Sequence, residues 1–206
     1  LSSEREAKTY SISDRDYFQA LKANPQPGLY FSETLQSKNQ DKPIVVAHRA
    51  VIDPQGHFRG VVVATINLAY FVDLFSKLDV GEQGMVSIRR SDDSRLVVRW
   101  PIVQDEINKS APHIPPVELL KGGSPQGVVR YIGKSDGVDR IFAYHQVPSG
   151  PFFVLIGRSV EEGFKDWRKT ALVSSALIVV GLGFLGLVIF RLNKKEQTLL
   201  NSEKRF

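Results

Sequence analysis

The sequence predicts an α+β fold with antiparallel sheets, followed by one membrane-spanning helix. Three observations carry this expectation. Short β-branched runs come in pairs joined by tight turns, as hairpins do. Helical patterns stand apart from the strand pairs instead of alternating with them, which argues against a parallel sheet. Residues 171–190 are twenty consecutive uncharged residues whose only polar side chains are Ser174 and Ser175. At about 1.5 Å per residue that run spans roughly the 30 Å of a bilayer's hydrocarbon core.

Taken in order, residues 1–13 are polar and unpatterned, and Ser13 or Asp14 is placed to cap a short helix over 14–23. The run Asn24-Pro25-Gln26-Pro27-Gly28 stops that helix, and 29–32 reads as a short strand before a polar surface loop, 33–42. Strands over 44–52 and 58–68 flank the turn Asp53-Pro54-Gln55-Gly56. The stretch from Gly60 to Ile66 lacks polar alternation, which predicts cover on both faces. Phe71, Leu74, Phe75 and Leu78 then recur at helical spacing over 69–78. A second round brings strands over 84–90 and 95–100, an irregular proline-containing crossover with a helical turn at 117–121, and strands over 127–132, 139–147 and 152–158. From Val160 a helical pattern continues into the apolar run without a proline.

Composition narrows the function classes. The 206 residues carry a net charge of +5, with acidic residues interleaved almost everywhere. No basic stripe with aromatics appears, so nucleic-acid binding is not expected. The four histidines, His48, His57, His113 and His145, are scattered and there is no cysteine, so no closed metal site and no cofactor is expected. No Ser/His/Asp set and no nucleophile elbow can be picked out, which leaves no catalytic residue to name. Gly181-Leu182-Gly183-Phe184-Leu185-Gly186 matches G-x-G-x-x-G literally. It lies inside the apolar run, where small residues suit helix–helix approach and not a phosphate cradle. Four Lys or Arg in 156–170 face five in 191–206, so flanking charge barely orients the span. Leu192, Leu199 and Phe206 are seven apart, the seam spacing of a coiled coil.

These residues carry a resemblance. Asp14-Arg15-Asp16-Tyr17-Phe18, Tyr30-Phe31-Ser32 and the run from His48 through Gly56-His57-Phe58-Arg59-Gly60 to Val62 resemble the membrane-distal half of a double Cache (tandem PAS-like) extracytoplasmic sensor. Gly81-Glu82-Gln83-Gly84, Arg99-Trp100-Pro101, Asp139–Tyr144 and Trp167 resemble its membrane-proximal partner domain. Such sensors stand on diguanylate cyclases, related cyclic-di-GMP enzymes and two-component sensor histidine kinases, and residues 201–206 resemble the entry into a cytoplasmic PAS domain. The resemblance implies two Cache domains, 1–78 and 79–159, with the distal one incomplete. It further implies a helix over 160–195 containing the span 171–190, and a cytoplasmic juxtamembrane segment, 196–206. By the same resemblance the chain is part of a longer one, and residues 1–75 should be less stable than 80–160.

The resemblance also names a pocket. In similar domains the arginine of the Arg15-x-Tyr17-Phe18 element, with aromatics such as Tyr17 and Tyr30, holds a ligand carboxylate; a planar fork of donors among aromatics suits that role. Relatives that bind amino acids carry an aspartate at the position of Thr65, and dicarboxylate sensors a lysine, so neither ligand class carries over. Asn67, two residues on along the strand, is expected to share that cavity, with Ser32 and Arg49 as further lining. The expected function is extracytoplasmic sensing of a small, carboxylate-bearing molecule and transmission to a cytoplasmic output domain, in an inner-membrane homodimer that is not itself an enzyme. The alternative is a membrane-anchored structural or adhesion module.

Overall fold

The computed structural model describes residues 10–39 and 41–203. The heptad residue Phe206, the end of the segment compared with a PAS entry, and most of residues 1–13 lie outside them. The described chain up to Ser159 forms one compact unit, and the helix from Val160 forms a second.

Helix α1 (Asp16–Ala23) starts two residues later than its sequence signals suggest. Arg15 stands at its N-cap with extended backbone and no side-chain cap, while Asp14 instead pairs with Lys38. Two-residue strands β1 (Tyr30–Phe31) and β2 (Leu35–Gln36) pair with opposite ends of one edge of β3 (Pro43–Ile52). Strand β4 (Phe58–Asn67) takes the other edge of β3. The connecting turn is held by Asp53, whose carboxylate accepts from the backbone of Gln55 and His57 and from Arg59.

Two expectations fail here. Segment 33–42 is not a free surface loop, because it contains β2 and is tied down through Thr34. The Thr34 hydroxyl donates to the Val97 carbonyl at 3.0 Å, and the Thr34 backbone exchanges two hydrogen bonds with the Asn108 amide. Nor is β4 covered on both faces. Val62 is 65% exposed and Thr65 is exposed as well, because among the described residues β4 pairs with β3 alone and lacks a neighbour on its outer edge. An apolar run marks strand propensity; it does not say what covers the strand.

Helix α2 (Leu68–Ser76) follows β4 directly, capped by the Asn67 side chain, which accepts from the Ala69 N–H at 3.0 Å. The second sheet runs β6-β5-β9-β8-β7, wholly antiparallel, from β5 (Met85–Arg90), β6 (Leu96–Trp100), β7 (Gln126–Ile132), β8 (Asp139–Val147) and β9 (Phe152–Ser159). The crossover from β6 to β7 carries α3 (Pro115–Lys121), which starts on a proline pair, where no backbone donor is missed. One face of this sheet packs Met85, Phe142, Tyr144, Phe153 and Leu155 against Ile114 and Val117. Its other face, through Val86, Val97 and Val98, joins Leu68 and Phe75 of α2 and Val45 of β3 in a core common to both sheets. The boundary expected at 78/79 falls in the link between α2 and β5.

Helix α4 (Val160–Glu203) runs 44 residues, and its stretch Val160–Leu187, in which an 18-residue window has a mean hydropathy of 2.2, is long and apolar enough to cross a membrane. The glycines of the G-x-G-x-x-G match lie in this helix.

Candidate functional site

The register of the first sheet decides which side chains meet. Alternation along β3 sends Ile44, Val46, His48 and Ala50 to one face and Val45, Ala47, Arg49 and Val51 to the other. Helix α1 covers the first of these faces, where Tyr17 packs on Ile44 and Val46. Pairing sets Tyr30 opposite His48, on the same face.

Between α1, the turn after it and this face lies a cavity of about 710 Å³. Arg15, Tyr17, Tyr30, Ser32 and His48 line it, with Asp14, Asp16 and Glu33 adding carboxylates. Four expected residues therefore converge: Arg15, Tyr17, Tyr30 and Ser32. Three do not. Arg49 has the wrong strand parity and projects from the face opposite His48, paired with Val62. Thr65 shares the α1 side but lies across β3, opposite Val46 and exposed. Asn67 is occupied as the α2 cap.

Arg15 spends one donor on the Gln36 carbonyl at 2.8 Å, which anchors the side chain to β2. The remaining donors of its fork have no hydrogen-bond partner among the described residues. Ser32 is structural in part: its hydroxyl donates to the Glu33 carbonyl at 2.7 Å and accepts from the Val46 N–H at 2.9 Å. Tyr17 is buried, and that burial raises its phenol above the usual value against the pull of Arg15, so the ring stays neutral.

His48 is the residue that sequence reasoning passed over, as a strand position beside Arg49. Its ring lies between two tyrosines, with centroids 4.9 Å from Tyr17 and 6.1 Å from Tyr30. Nδ1 lies 3.0 Å from the Val46 carbonyl, an acceptor, so Nδ1 must carry the proton. Burial holds the imidazole below its ordinary pKa, partly opposed by that hydrogen bond and helped by the charge of Arg90. A neutral ring with Nδ1–H leaves Nε2 as an acceptor, and no described residue donates to it. Strand parity separates His48 from Arg49, but which of the two faces the cavity follows only from the β1–β3 register, so the sequence carried no signal for it.

The site is also wired to the second sheet. Arg90 of β5 donates to the carbonyls of Phe31 at 2.9 Å and Ser32 at 3.3 Å, while Asp92 holds its other edge. Phe31 meets Phe152 of β9 edge-on at 4.9 Å.

This arrangement of helices and sheets is found in known proteins. Residues 68–157 match a family model described as dCache_1-like, a histidine kinase sensor domain. The fold is Cache-like. It is similar to the extracellular domain of the putative histidine kinase rpHK1S-Z16, with 28% identity, 76% of this chain and 64% of that one covered, and a TM-score of 0.61. It is also similar to the periplasmic sensory domain of the Campylobacter jejuni chemoreceptor Tlp1, at 19% identity, 75% and 58% coverage, and a TM-score of 0.58. The ligand-binding domain of the Pseudomonas aeruginosa PAO1 amino acid chemoreceptor PctB, solved with L-Arg, aligns at 17% identity, 78% and 65% coverage, and a TM-score of 0.52. The chain thus spans about three fifths of the length of the solved sensor domains it matches. No curated protein sequence matches it.

Proposed function

We propose that this chain senses a small molecule outside the cytoplasm and passes the signal through α4 to an output domain beyond Phe206. The observation that carries the reading is the cavity. It brings a guanidinium fork, two tyrosines and a buried imidazole acceptor to one hollow, as a site for a small polar ligand requires. The ligand class that suits these groups has a carboxylate for Arg15 and a hydrogen-bond donor for His48 Nε2. The sensor resemblance and the shared Cache-like fold support an inner-membrane protein whose compact unit lies on the periplasmic side. The output is a histidine kinase or a cyclic-di-GMP enzyme, and the working unit is a homodimer.

The route from site to span has named parts. Ligand contact at Tyr30 and Ser32 alters the carbonyls that Arg90 holds, and so the edge of β5. Because β5 pairs with β9, and β9 continues into α4, a shift of β5 changes what the membrane helix receives. A ligand moves this balance only by its difference in affinity for the two states.

Calorimetric screening of the full chain in detergent against small carboxylates, amino acids included, tests the site. Arg15→Ala should weaken a hit at least ten-fold, the loss of one charge-assisted contact. A hit that binds Arg15→Ala and His48→Gln as tightly as wild type removes the site assignment. For orientation, a reporter active only outside the cytoplasm should stay silent when fused after Phe206. A bright fusion would put the compact unit in the cytoplasm and remove the sensing reading, whereas a silent fusion on a ligand-blind chain favours the adhesion module.

A further inference from the structure

The second sheet buries a cluster that the proposed ligand site does not use. Arg89, Arg99 and Arg140 are 9%, 5% and 3% exposed. The register places them together: Ser87 stands opposite Arg99, Tyr131 opposite Arg140, and Arg89 lies two residues beyond Ser87 on the same strand face. This is the face that α3 and the crossover cover.

The charges there do not balance. Asp136 meets Arg140 as a fork, at 2.9 and 2.8 Å, and its outer oxygen is 3.7 Å from Arg99. One carboxylate therefore serves two guanidiniums. Arg89 has only carbonyls, those of Ser94 at 2.9 Å and Lys109 at 3.5 Å. Glu106 attracts Arg89 and Arg99 from the crossover, yet Lys109 stands 3.9 Å from its carboxylate. Buried cations without full counter-charge are strongly disfavoured unless something compensates them.

Two polar atoms in the same place are also orphaned. Ser87 Oγ and Arg89 Nε are buried and without a hydrogen-bond partner among the described residues. Tyr131 stacks on Phe142 with centroids 4.3 Å apart and faces the arginines. Burial pushes its phenol up to about 12 even against their charges, so it keeps its proton and can donate. Arginine forks, a hydroxyl and a phenol around an unbalanced positive charge are the donor set of an anion site, with planar carboxylates the best match to guanidinium geometry.

We propose that this face of the second sheet is a binding site for a small carboxylate, held by Arg89, Arg99, Ser87 and Tyr131. It is separate from the cavity under α1 and does not depend on that site being correctly assigned.

The test uses the full chain in detergent, with acetate, chloride and phosphate each titrated at constant ionic strength against a bulky sulfonate. Thermal unfolding should show a saturable rise in Tm with acetate, with slowed hydrogen exchange in β5 and β6. Tyr131→Phe keeps the ring stack and should raise the half-saturating acetate concentration about ten-fold, the loss of one hydrogen bond to a charged group. Arg89→Gln should abolish saturation, and Ser87→Ala, which removes only an unpartnered hydroxyl, covers the case in which Arg89→Gln does not fold. Titrated in an Arg15→Ala background, which removes the guanidinium fork under α1, the rise in Tm with acetate and the slowed exchange in β5 and β6 should persist, so the response reads this site alone. Equal Tm in all four anions, or saturation that survives both Tyr131→Phe and Ser87→Ala, overturns the site; saturation by chloride or phosphate alone overturns the carboxylate assignment.

Discussion

The two sheets solve the same folding problem to different degrees. In the second, β5, β9 and β8 each have neighbours on both sides, and Phe142, Phe153 and Leu155 are fully buried. In the first, β1 and β2 are two residues each, β4 has no outer neighbour among the described residues, and the face under α1 encloses a cavity where the second sheet encloses a core. A cavity is space not filled by side chains, and the first sheet gives up packing to keep one. What it keeps is its seam with the second sheet, through Val45, Leu68 and Phe75.

The largest expected effect comes from attacking the better-packed sheet. Phe153→Ala should cost about 3–5 kcal/mol in denaturant unfolding of the full chain, while Val62→Ala on β4 should stay within ~0.5 kcal/mol. Similar losses at both positions would mean that something covers β4, and the contrast would collapse.

Next in size is Asp136→Asn, which leaves Arg140 and Arg99 without their shared carboxylate. A loss of about 3 kcal/mol is expected, the low end for a buried pair because Asp136 is 30% exposed. Burial alone would raise the pKa of Asp136, but hydrogen bonds from Arg140 and the Val138 N–H, with the charges of Arg140 and Arg99, outweigh it and lower it below 3.8. A carboxylate so lowered stabilises the fold above its unfolded value and ceases to as pH falls through the folded one. Wild type should therefore lose stability below about pH 4 more steeply than the variant, in parallel acid titrations followed by circular dichroism.

A smaller effect tests how the first sheet is joined to α2. Asn67→Ala removes the cap and should cost about 1 kcal/mol with no change in ligand affinity. A loss of affinity in calorimetry would return Asn67 to the pocket.

The smallest is a pH effect confined to the first sheet. The pKa of His48 is held below 6.5, so its neutral form stabilises the fold above pH 6.5, and that contribution fades as pH falls toward the folded value. Protection factors in β1 and β3, that is, exchange corrected for its intrinsic pH dependence, should fall from pH 7 to 5 in wild type and not in His48→Gln, while those in β8 stay unchanged in both. A fall in the variant as well would assign the effect to other groups.

Most strands were legible because their turns are marked. Asp53-Pro54-Gln55-Gly56 and Ser135-Asp136-Gly137 fix the hairpins, and the antiparallel order follows from them. Strand β2 was not legible, since two residues have no period and its pairing depends on β3. The cavity was half legible. The aromatic and arginine element announces itself locally, but which strand residues face it depends on register, and a slip of one exchanges His48 for Arg49. The arginine cluster was invisible because β5 and β6, which carry Arg89 and Arg99, meet β8 and its Arg140 only through pairing with β9. Asn67 could have been read as a helix cap, standing just before an apolar helical run.

The open edge of β4 has a practical consequence for anyone purifying this polypeptide. A ten-residue strand with Val62 and Val63 exposed, and with a row of N–H and C=O groups that no strand among the described residues pairs, is a template for intermolecular pairing, hence for aggregation. A lysine at position 62 would act as a gatekeeper there, improving solubility without touching the cavity or the buried arginines.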